Sequence, residues 1–207
     1  MTSLDLTDCK TYLKNGSLSQ PFLADEIIQE KIEINFINQL KTGHFVTEIE
    51  GLIDWLHHMV KHTNDRDFIK ENQFQRSAQE IWASKVATGC TDYALLFATC
   101  ARQLGIPTTL LHTAEFNWIE RLKAGEDSKL HYGHSFCECF YNGKWILVDP
   151  TCRKIMYQDY PKKLELDYNI NGNSVFIPYF RGLDLGKKQS IQQHNEIMDK
   201  ECIDLNI

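Results

Sequence analysis

The chain has 207 residues, of which 43% are hydrophobic and 24% are charged, and its formal net charge is −6. This length and composition predict one globular domain with a substantial core. The acidic balance argues against a nucleic-acid-binding surface, which needs clustered Lys and Arg. Because no apolar run reaches the roughly 18 residues of a membrane span, no membrane partner is expected either.

The chain has an odd number of cysteines, seven in all, at positions 9, 90, 100, 137, 139, 152 and 202. The first residues lack the basic and apolar regions of an export signal. These features predict a cytoplasmic protein without a disulfide framework, in which most thiols are buried as small apolar groups. We expect no cofactor, and the oligomeric state is left open.

The N-terminal half is predicted to be helical. Residues 1–20 are polar and indicate a loop or loose tail. A helix is expected from Pro21 to about Lys41, and a stronger one over 47–62, where apolar residues recur at steps of three and four. Residues 61–72 are charged and turn-rich. The capping box Ser77-Ala78-Gln79-Glu80 then predicts a further short helix.

The next predicted helix carries a cysteine at its start. It runs from about 91 to 104 and is ended by Gly105 and Pro107. Gly89 is expected to take a positive φ and to turn the chain sharply into the helix. Cys90 then lies at the helix N-terminus, where unpaired N–H groups and the helix dipole favour a thiolate over a thiol.

The second half is predicted to form a sheet. Residues 108–112 indicate a strand, and 116–130 indicate an exposed excursion. Two further strands, Ser135–Tyr141 and Lys144–Asp149, are joined by Asn142-Gly143, which is a strong signal for a two-residue hairpin turn.

The hairpin makes a geometric prediction. The turn pairs Tyr141 with Lys144, and therefore Phe136 with Asp149. His134 shares a face with Phe136, because strand side chains alternate. His134 and Asp149 are then diagonal neighbours, roughly 7–8 Å apart at Cα, which an imidazole and a carboxylate can bridge. Both faces of the hairpin are largely apolar, so a buried carboxylate here needs a partner.

Cys90, His134 and Asp149 are the parts of a thiol nucleophile, its base and the carboxylate that orients the base. Taken singly, they have plainer interpretations: a buried thiol, a core histidine and a strand-ending turn. Their mutually consistent settings favour the joint interpretation as a catalytic site.

Over residues 77–152 the chain resembles the transglutaminase-like superfamily of papain-type cysteine enzymes. The resemblance is carried by four motifs: Gly89-Cys90, Leu104-Gly105-Ile106-Pro107, His134-Ser135-Phe136-Cys137-Glu138 and Asp149-Pro150-Thr151. The chain departs from the family pattern at Phe136, where many members have Trp. The resemblance implies an α+β fold with helices packed on an antiparallel sheet. It further implies that Cys90 is the nucleophile, His134 the general base and acid, and Asp149 the residue that orients His134.

These parts predict a cysteine-dependent acyl-transfer enzyme that acts on the peptide or carboxamide bond of a protein, peptide or small amide substrate through a Cys90 thioester. The backbone N–H of Cys90 and an upstream side chain, Trp82 or Gln79, would bind the oxyanion. Hydrolysis is favoured, because water is abundant and needs no second binding site. Amine transfer of the transglutaminase type is the alternative.

Two other classes of function stay open. His131, His134, Cys137, Cys139 and Cys152 cluster in sequence and could hold zinc. However, Cys137 and Cys139 share the strand face opposite His134, and there is no Cys-x-x-Cys pair, so no metal site is predicted. The other class is a binding or scaffold protein that has the same fold and does not use the triad.

The whole chain, 1–207, is predicted to be a single domain with the catalytic core at 77–152. A helical segment, 1–70, precedes the core, and an extension, 160–207, follows it. The extension is expected to contain a strand at 175–177 and a polar helix over about 190–201. Its segment Arg181-Gly182-Leu183-Asp184 is interpreted as a turn held by an Arg–Asp contact, with a substrate contact as the alternative.

Overall fold

The computed structural model describes residues 9–40, 47–126, 130–156, 166–169 and 173–205. Within these ranges a short 3₁₀ helix, Cys9–Leu13, is followed by the α-helices α1 (Asp25–Leu40), α2 (Glu48–Met59), α3 (Arg66–Asn72), α4 (Ala78–Ser84), α5 (Cys90–Gln103), α6 (Phe116–Lys123) and α7 (Ile191–Ile203). The strands are β1 (Lys61–His62), β2 (Val86–Ala87), β3 (Thr108–Glu115), β4 (Gly133–Tyr141), β5 (Lys144–Asp149), β6 (Lys154–Met156), β7 (Leu166–Asn169) and β8 (Asn173–Gly182). None of the helices in the described ranges has the length and apolar character needed to cross a bilayer.

The main sheet has six strands in the order β6-β5-β4-β3-β8-β7, and every neighbouring pair is antiparallel. Strands β1 and β2 form a separate parallel pair. Helix α5 packs against β4 and β3, and α2 and α4 pack against α5. The predicted α+β architecture, with helices on an antiparallel sheet, is therefore confirmed.

The core lies chiefly between α5 and the sheet. One apolar cluster joins α1, α2, α4 and α5 to the β4 and β5 side chains that face α5, namely Cys137, Cys139, Ile146 and Val148. A second cluster lies around α6, α7 and β8, and a third contains Phe136 and Leu147. Strands β4 and β5 are thus covered on both faces, as their apolar composition predicts. Cys100 and Cys202 are also buried.

The helix signals of the N-terminal half are mostly confirmed. Thr47 and Ser77 each begin a helix with a complete capping box. Helix α1 starts at Asp25 rather than at Pro21, and Lys41 lies outside the described residues. Helix α2 ends at Met59, because the chain then turns to extended backbone and forms β1.

Two helices replace predicted loops. Helix α3 lies in the segment predicted as turns, and Asp65 caps it by accepting hydrogen bonds from the backbone N–H groups of residues 67 and 68. The predicted exposed excursion begins with α6, in which Trp118 and Ile119 are fully buried. This amphipathic helix is only eight residues long, so its charged face dominates the composition of the segment and conceals the short apolar face.

The hairpin register is confirmed. Tyr141 pairs with Lys144, and the pairing continues to Cys137 opposite Val148. Positive φ angles at both turn residues, 50° at Asn142 and 79° at Gly143, are those that a type I′ turn requires.

Replacing Gly143 by Ala should lower the free energy of unfolding by about 1–2 kcal/mol, because a Cβ disfavours the left-handed region. No atom lies within 4 Å of that Cβ position, so backbone strain is the whole effect. Urea denaturation measures the loss. Gly143→Asn is the matched variant and should lose less, since Asn tolerates this region better. Equal losses in the two variants would contradict the strain explanation.

The predicted Arg–Asp turn near residue 181 is wrong. Arg181 instead donates from Nε to both oxygens of the buried Glu138 on β4, at 3.0 and 3.1 Å. The Asp184 carboxylate accepts the backbone N–H groups of Leu18 and Ser19, at 2.7 and 2.9 Å. Both residues therefore connect distant segments of the chain, which local spacing does not reveal.

Candidate active site

Cys90 begins α5, as the sequence predicts, and is partly buried. The expected positive φ at Gly89 is wrong: its φ is 170°, which is extended backbone. The turn is held instead by Asp92 in the first turn of α5. Its Oδ2 accepts the Thr88 backbone N–H and hydroxyl, both at 2.7 Å, and the Arg76 guanidinium at 2.5 Å. A buried ion pair thus fixes the residues that precede Cys90.

His134 and Asp149 meet across the hairpin. His134 Nε2 donates to Asp149 Oδ2 at 2.8 Å. Asp149 ends β5 with 1% of its surface exposed, and its other oxygen accepts the backbone N–H groups of Thr151 and Cys152, at 2.9 and 3.0 Å. The carboxylate is therefore held in one orientation. With Nε2 directed at Asp149, the His134 ring presents Nδ1 to Cys90.

The charges of Cys90 and His134 are coupled. Burial raises the pKa of Cys90, but the hydrogen bond and charge of His134, together with hydrogen bonds from Ser135, outweigh it and bring the pKa below its usual value. Burial lowers the pKa of His134, whereas the hydrogen bonds with Asp149 and Cys90 raise it, to about 10. Both shifts favour a thiolate–imidazolium pair at neutral pH.

A pocket of about 290 Å³ opens beside this pair. Its wall is formed by the loop after α3, the start of α5, strands β3, β4 and β8, helix α7, and Leu130 and His131. Cys90 and His134 both line it, so a bound carbonyl can approach the sulfur. Helix α7 belongs to the segment for which the sequence predicted no specific role.

The two predicted oxyanion donors lie elsewhere. Trp82 packs against the rings of Phe22 and Trp55, and Gln79 is exposed on α4. Neither lines the pocket. Gln73 does, and its Nε2 lies 3.4 Å from the point where a Cβ on Gly89 would stand.

Gln73 had no usable signal in the sequence. It follows α3 directly, and that helix was not predicted. Its approach to Gly89 spans sixteen positions of irregular chain and short helix, so spacing could not bring the two together. The structure places the Gln73 amide beside Gly89, in the same pocket as Cys90, which makes it a candidate oxyanion donor.

The metal alternative receives little support in the described part of the chain. One donor cluster occurs there, formed by His134, Asp149 and Cys152, whose ligand atoms lie within 4.8 Å of one another. Its histidine and carboxylate are already hydrogen-bonded to each other. Burial and the nearby carboxylate of Asp149 raise the pKa of Cys152 to about 11, so this thiol is protonated at neutral pH.

A sequence model of the transglutaminase-like superfamily matches residues 37–150, more than half of the chain. The match begins 40 residues before residue 77, where the resemblance noted above begins, and so also takes in α2 and α3. No curated protein sequence matches the chain.

Among solved structures, the chain is similar to a Cytophaga hutchinsonii protein named "Putative Cysteine Protease", with a TM-score of 0.50 and 18% identity. The match covers 92% of this chain and 52% of that one, so the chain spans about half the length of this neighbour. A structure named as a TGase matches 62% of this chain and 31% of its own, with a TM-score of 0.38 and 14% identity. The first likeness supports the fold.

Proposed function

The chain belongs to the transglutaminase-like superfamily, and from this premise we propose that it is a cysteine-dependent acyl-transfer enzyme that hydrolyses peptide or carboxamide bonds. The observation that carries the proposal is the continuous contact from Cys90 through His134 to the buried Asp149. The lowered pKa of Cys90 and the raised pKa of His134 favour a thiolate–imidazolium pair before any substrate binds, which is the resting state that a thiol nucleophile requires.

The proposed reaction begins with attack of the Cys90 thiolate on a substrate carbonyl carbon. The carbonyl oxygen gains the negative charge, and in this proposal the Cys90 backbone N–H and the Gln73 amide bind it. His134 then gives its proton to the leaving amine, and the C–N bond breaks to leave a thioester on Cys90. Asp149 keeps the His134 ring oriented and stabilises its charged form.

The second half of the reaction decides the product. His134, now neutral, takes a proton from water, whose oxygen attacks the thioester. The C–S bond breaks, releasing a carboxylic acid and the thiolate, and the proton returns the histidine to its charged form. A primary amine in place of water would give a new amide. No described lysine, arginine or carboxylate lines the pocket to hold a charged second substrate, which supports hydrolysis.

Site-resolved alkylation tests the proposal without a known substrate. We expect iodoacetamide at about pH 6 to label Cys90 at least tenfold faster than the other partly exposed thiols, Cys9 and Cys152. His134→Ala should remove this advantage at pH 6 and leave slow labelling at about pH 8, because the thiolate then lacks its cation. Mass spectrometry quantifies each thiol.

The exposed His58 on α2 offers a matched control. His58→Ala should label at the wild-type rate. If Cys90 labels no faster than Cys9, the free protein holds no activated thiol and the proposal fails. Peptides with glutamine, asparagine and internal peptide bonds can then be offered to the wild type and to Cys90→Ser. Release of carboxylic acid supports hydrolysis, and incorporation of an added primary amine would identify amine transfer instead.

A further inference from the structure

A second histidine in the pocket wall has one unused nitrogen. His112 lies on β3, lines the pocket and has 2% of its surface exposed. Its Nδ1 lies 3.0 Å from the Ser135 hydroxyl. Its Nε2 is buried and has no hydrogen-bond partner among the described residues. A buried polar atom without a partner is costly, so a ligand in the pocket that reached Nε2 with a hydrogen bond would relieve this cost.

The His112 ring is neutral. Burial above all, together with the charges of the nearby His194 and His134, lowers its pKa to about 3. In a neutral imidazole one nitrogen carries the proton and donates, while the other carries a lone pair and accepts. Which role Nε2 has therefore depends on the hydrogen bond that Nδ1 makes.

The Ser135 hydroxyl determines that role. It has one proton to donate, and it is hydrogen-bonded to Cys90, where it favours the thiolate. Its oxygen also lies 3.0 Å from the Thr91 hydroxyl and 3.0 Å from His112 Nδ1. When the proton points at the thiolate, the oxygen accepts from Thr91 and from His112. Nδ1 then carries the proton, and Nε2 is an acceptor.

The other residues of the pocket wall limit which kind of N–H donor can bind. His194 uses both ring nitrogens, one with Gln189 Oε1 at 3.2 Å and the other with the Tyr179 hydroxyl at 3.3 Å. Among the described lining residues there is no aspartate or glutamate to hold a cation, and the charged His134 would repel one. An N–H donor that fits here is therefore uncharged.

We propose that His112 Nε2 accepts a hydrogen bond from an uncharged N–H group of the substrate and so selects amides over esters at this site. The proposal rests on the proposed function and specifies its substrate class. Through Ser135, the same histidine connects substrate recognition to the sulfur that reacts. His112 is thus a specificity-determining residue, distinct from the pair that transfers protons.

Two alkylating agents that differ by one group test the proposal. N-methyl iodoacetamide carries an N–H where methyl iodoacetate carries an oxygen, and the two are otherwise alike in shape. The rate ratio at Cys90 is divided by the ratio for free glutathione, which removes the difference in intrinsic reactivity. We expect a remaining preference for the amide of about threefold to tenfold, the worth of one hydrogen bond.

The substitution His112→Asn isolates the Nε2 contact. The side-chain amide of Asn can still donate to Ser135 from the position of Nδ1, but it does not reach the position of Nε2. We expect this variant to lose the amide preference, so that its rate ratio at Cys90 equals the ratio for free glutathione. His58→Asn, which changes an exposed histidine, should retain the preference. A preference that survives His112→Asn overturns the proposal.

The tautomer can be measured in the unmodified protein by nitrogen-15 NMR of the histidine rings. A proton on His112 Nδ1 supports the proposal, and a proton on Nε2 overturns it, even if the Asn variant fails to fold. Failure of the His112 proposal can also be distinguished from failure of the proposed function. Fast labelling of Cys90 without an amide preference refutes the role of His112 alone, whereas slow labelling by both reagents refutes the activated thiol.

Discussion

Replacing Asp149 by Asn should lower the rate of amide hydrolysis by a factor on the order of 10⁴, the effect of the corresponding change in a serine protease triad. The Asn oxygen can keep the two backbone hydrogen bonds that Asp149 accepts from Thr151 and Cys152. Its NH₂ group would then face His134 Nε2 and force the ring proton onto Nδ1. A ring protonated there cannot take a proton from Cys90.

The pH dependence gives this prediction a second measurement. In the wild type, labelling of Cys90 rises through its lowered pKa, and hydrolysis falls as His134 loses its proton near pH 10. Without the carboxylate, the pKa of Cys90 should rise and that of His134 should fall. The pH range in which the enzyme is active should therefore narrow from both sides. Iodoacetamide labelling of Cys90 from about pH 5 to pH 10 measures the change in the pKa of Cys90. Asp67→Asn, an exposed carboxylate, is the control, and a wild-type profile in Asp149→Asn would refute the triad.

The largest expected effect on stability comes from the ion pair beneath Cys90. Arg76→Met should lower the free energy of unfolding by about 3–5 kcal/mol, because it leaves the buried Asp92 carboxylate without its counter-charge. The two side chains are 7% and 4% exposed. Since Asp92 also holds Thr88, the residues before Cys90 should shift and Cys90 labelling should slow. Urea denaturation at neutral pH measures the stability.

An exposed ion pair with a similar distance between its charged atoms provides the comparison. Lys188 and Glu80 lie 2.6 Å apart but are 46% and 49% exposed. Lys188→Met should change stability by no more than about 1 kcal/mol, because solvent screens such pairs. The double variant Arg76→Met with Asp92→Leu should recover much of the loss, since no buried charge remains. Equal effects at the buried and exposed pairs would contradict the prediction.

Local rules were enough to predict the elements that carry the proposed catalytic groups. A capping box begins α4, and a glycine and a proline end α5, the helix that Cys90 begins. These signals act within a few residues. The turn at Asn142-Gly143 sets the register of β4 against β5, because both residues adopt positive φ. Register and side-chain alternation together placed His134 beside Asp149 from the sequence alone.

The pocket could not be predicted in the same way. His112 reaches it because β3 lies between β4 and β8 in the sheet, and that order joins segments about 65 residues apart. Gln73 reaches it from α3, a seven-residue helix whose pattern is too short to recognise. The α7 residues were predicted only as part of a polar helix, although His194 and Met198 are buried.

What the sequence by itself determined is therefore the place of Cys90 at a helix start and of His134 beside Asp149, since helix caps, turn chemistry and strand alternation are local. The tertiary structure alone decided that α5 brings Cys90 to His134, and which groups surround them: Gln73 and His112 in the wall of the same pocket, and Arg181 paired with Glu138. These contacts depend on how distant elements pack against one another, and the side-chain pattern within one element does not specify its partner.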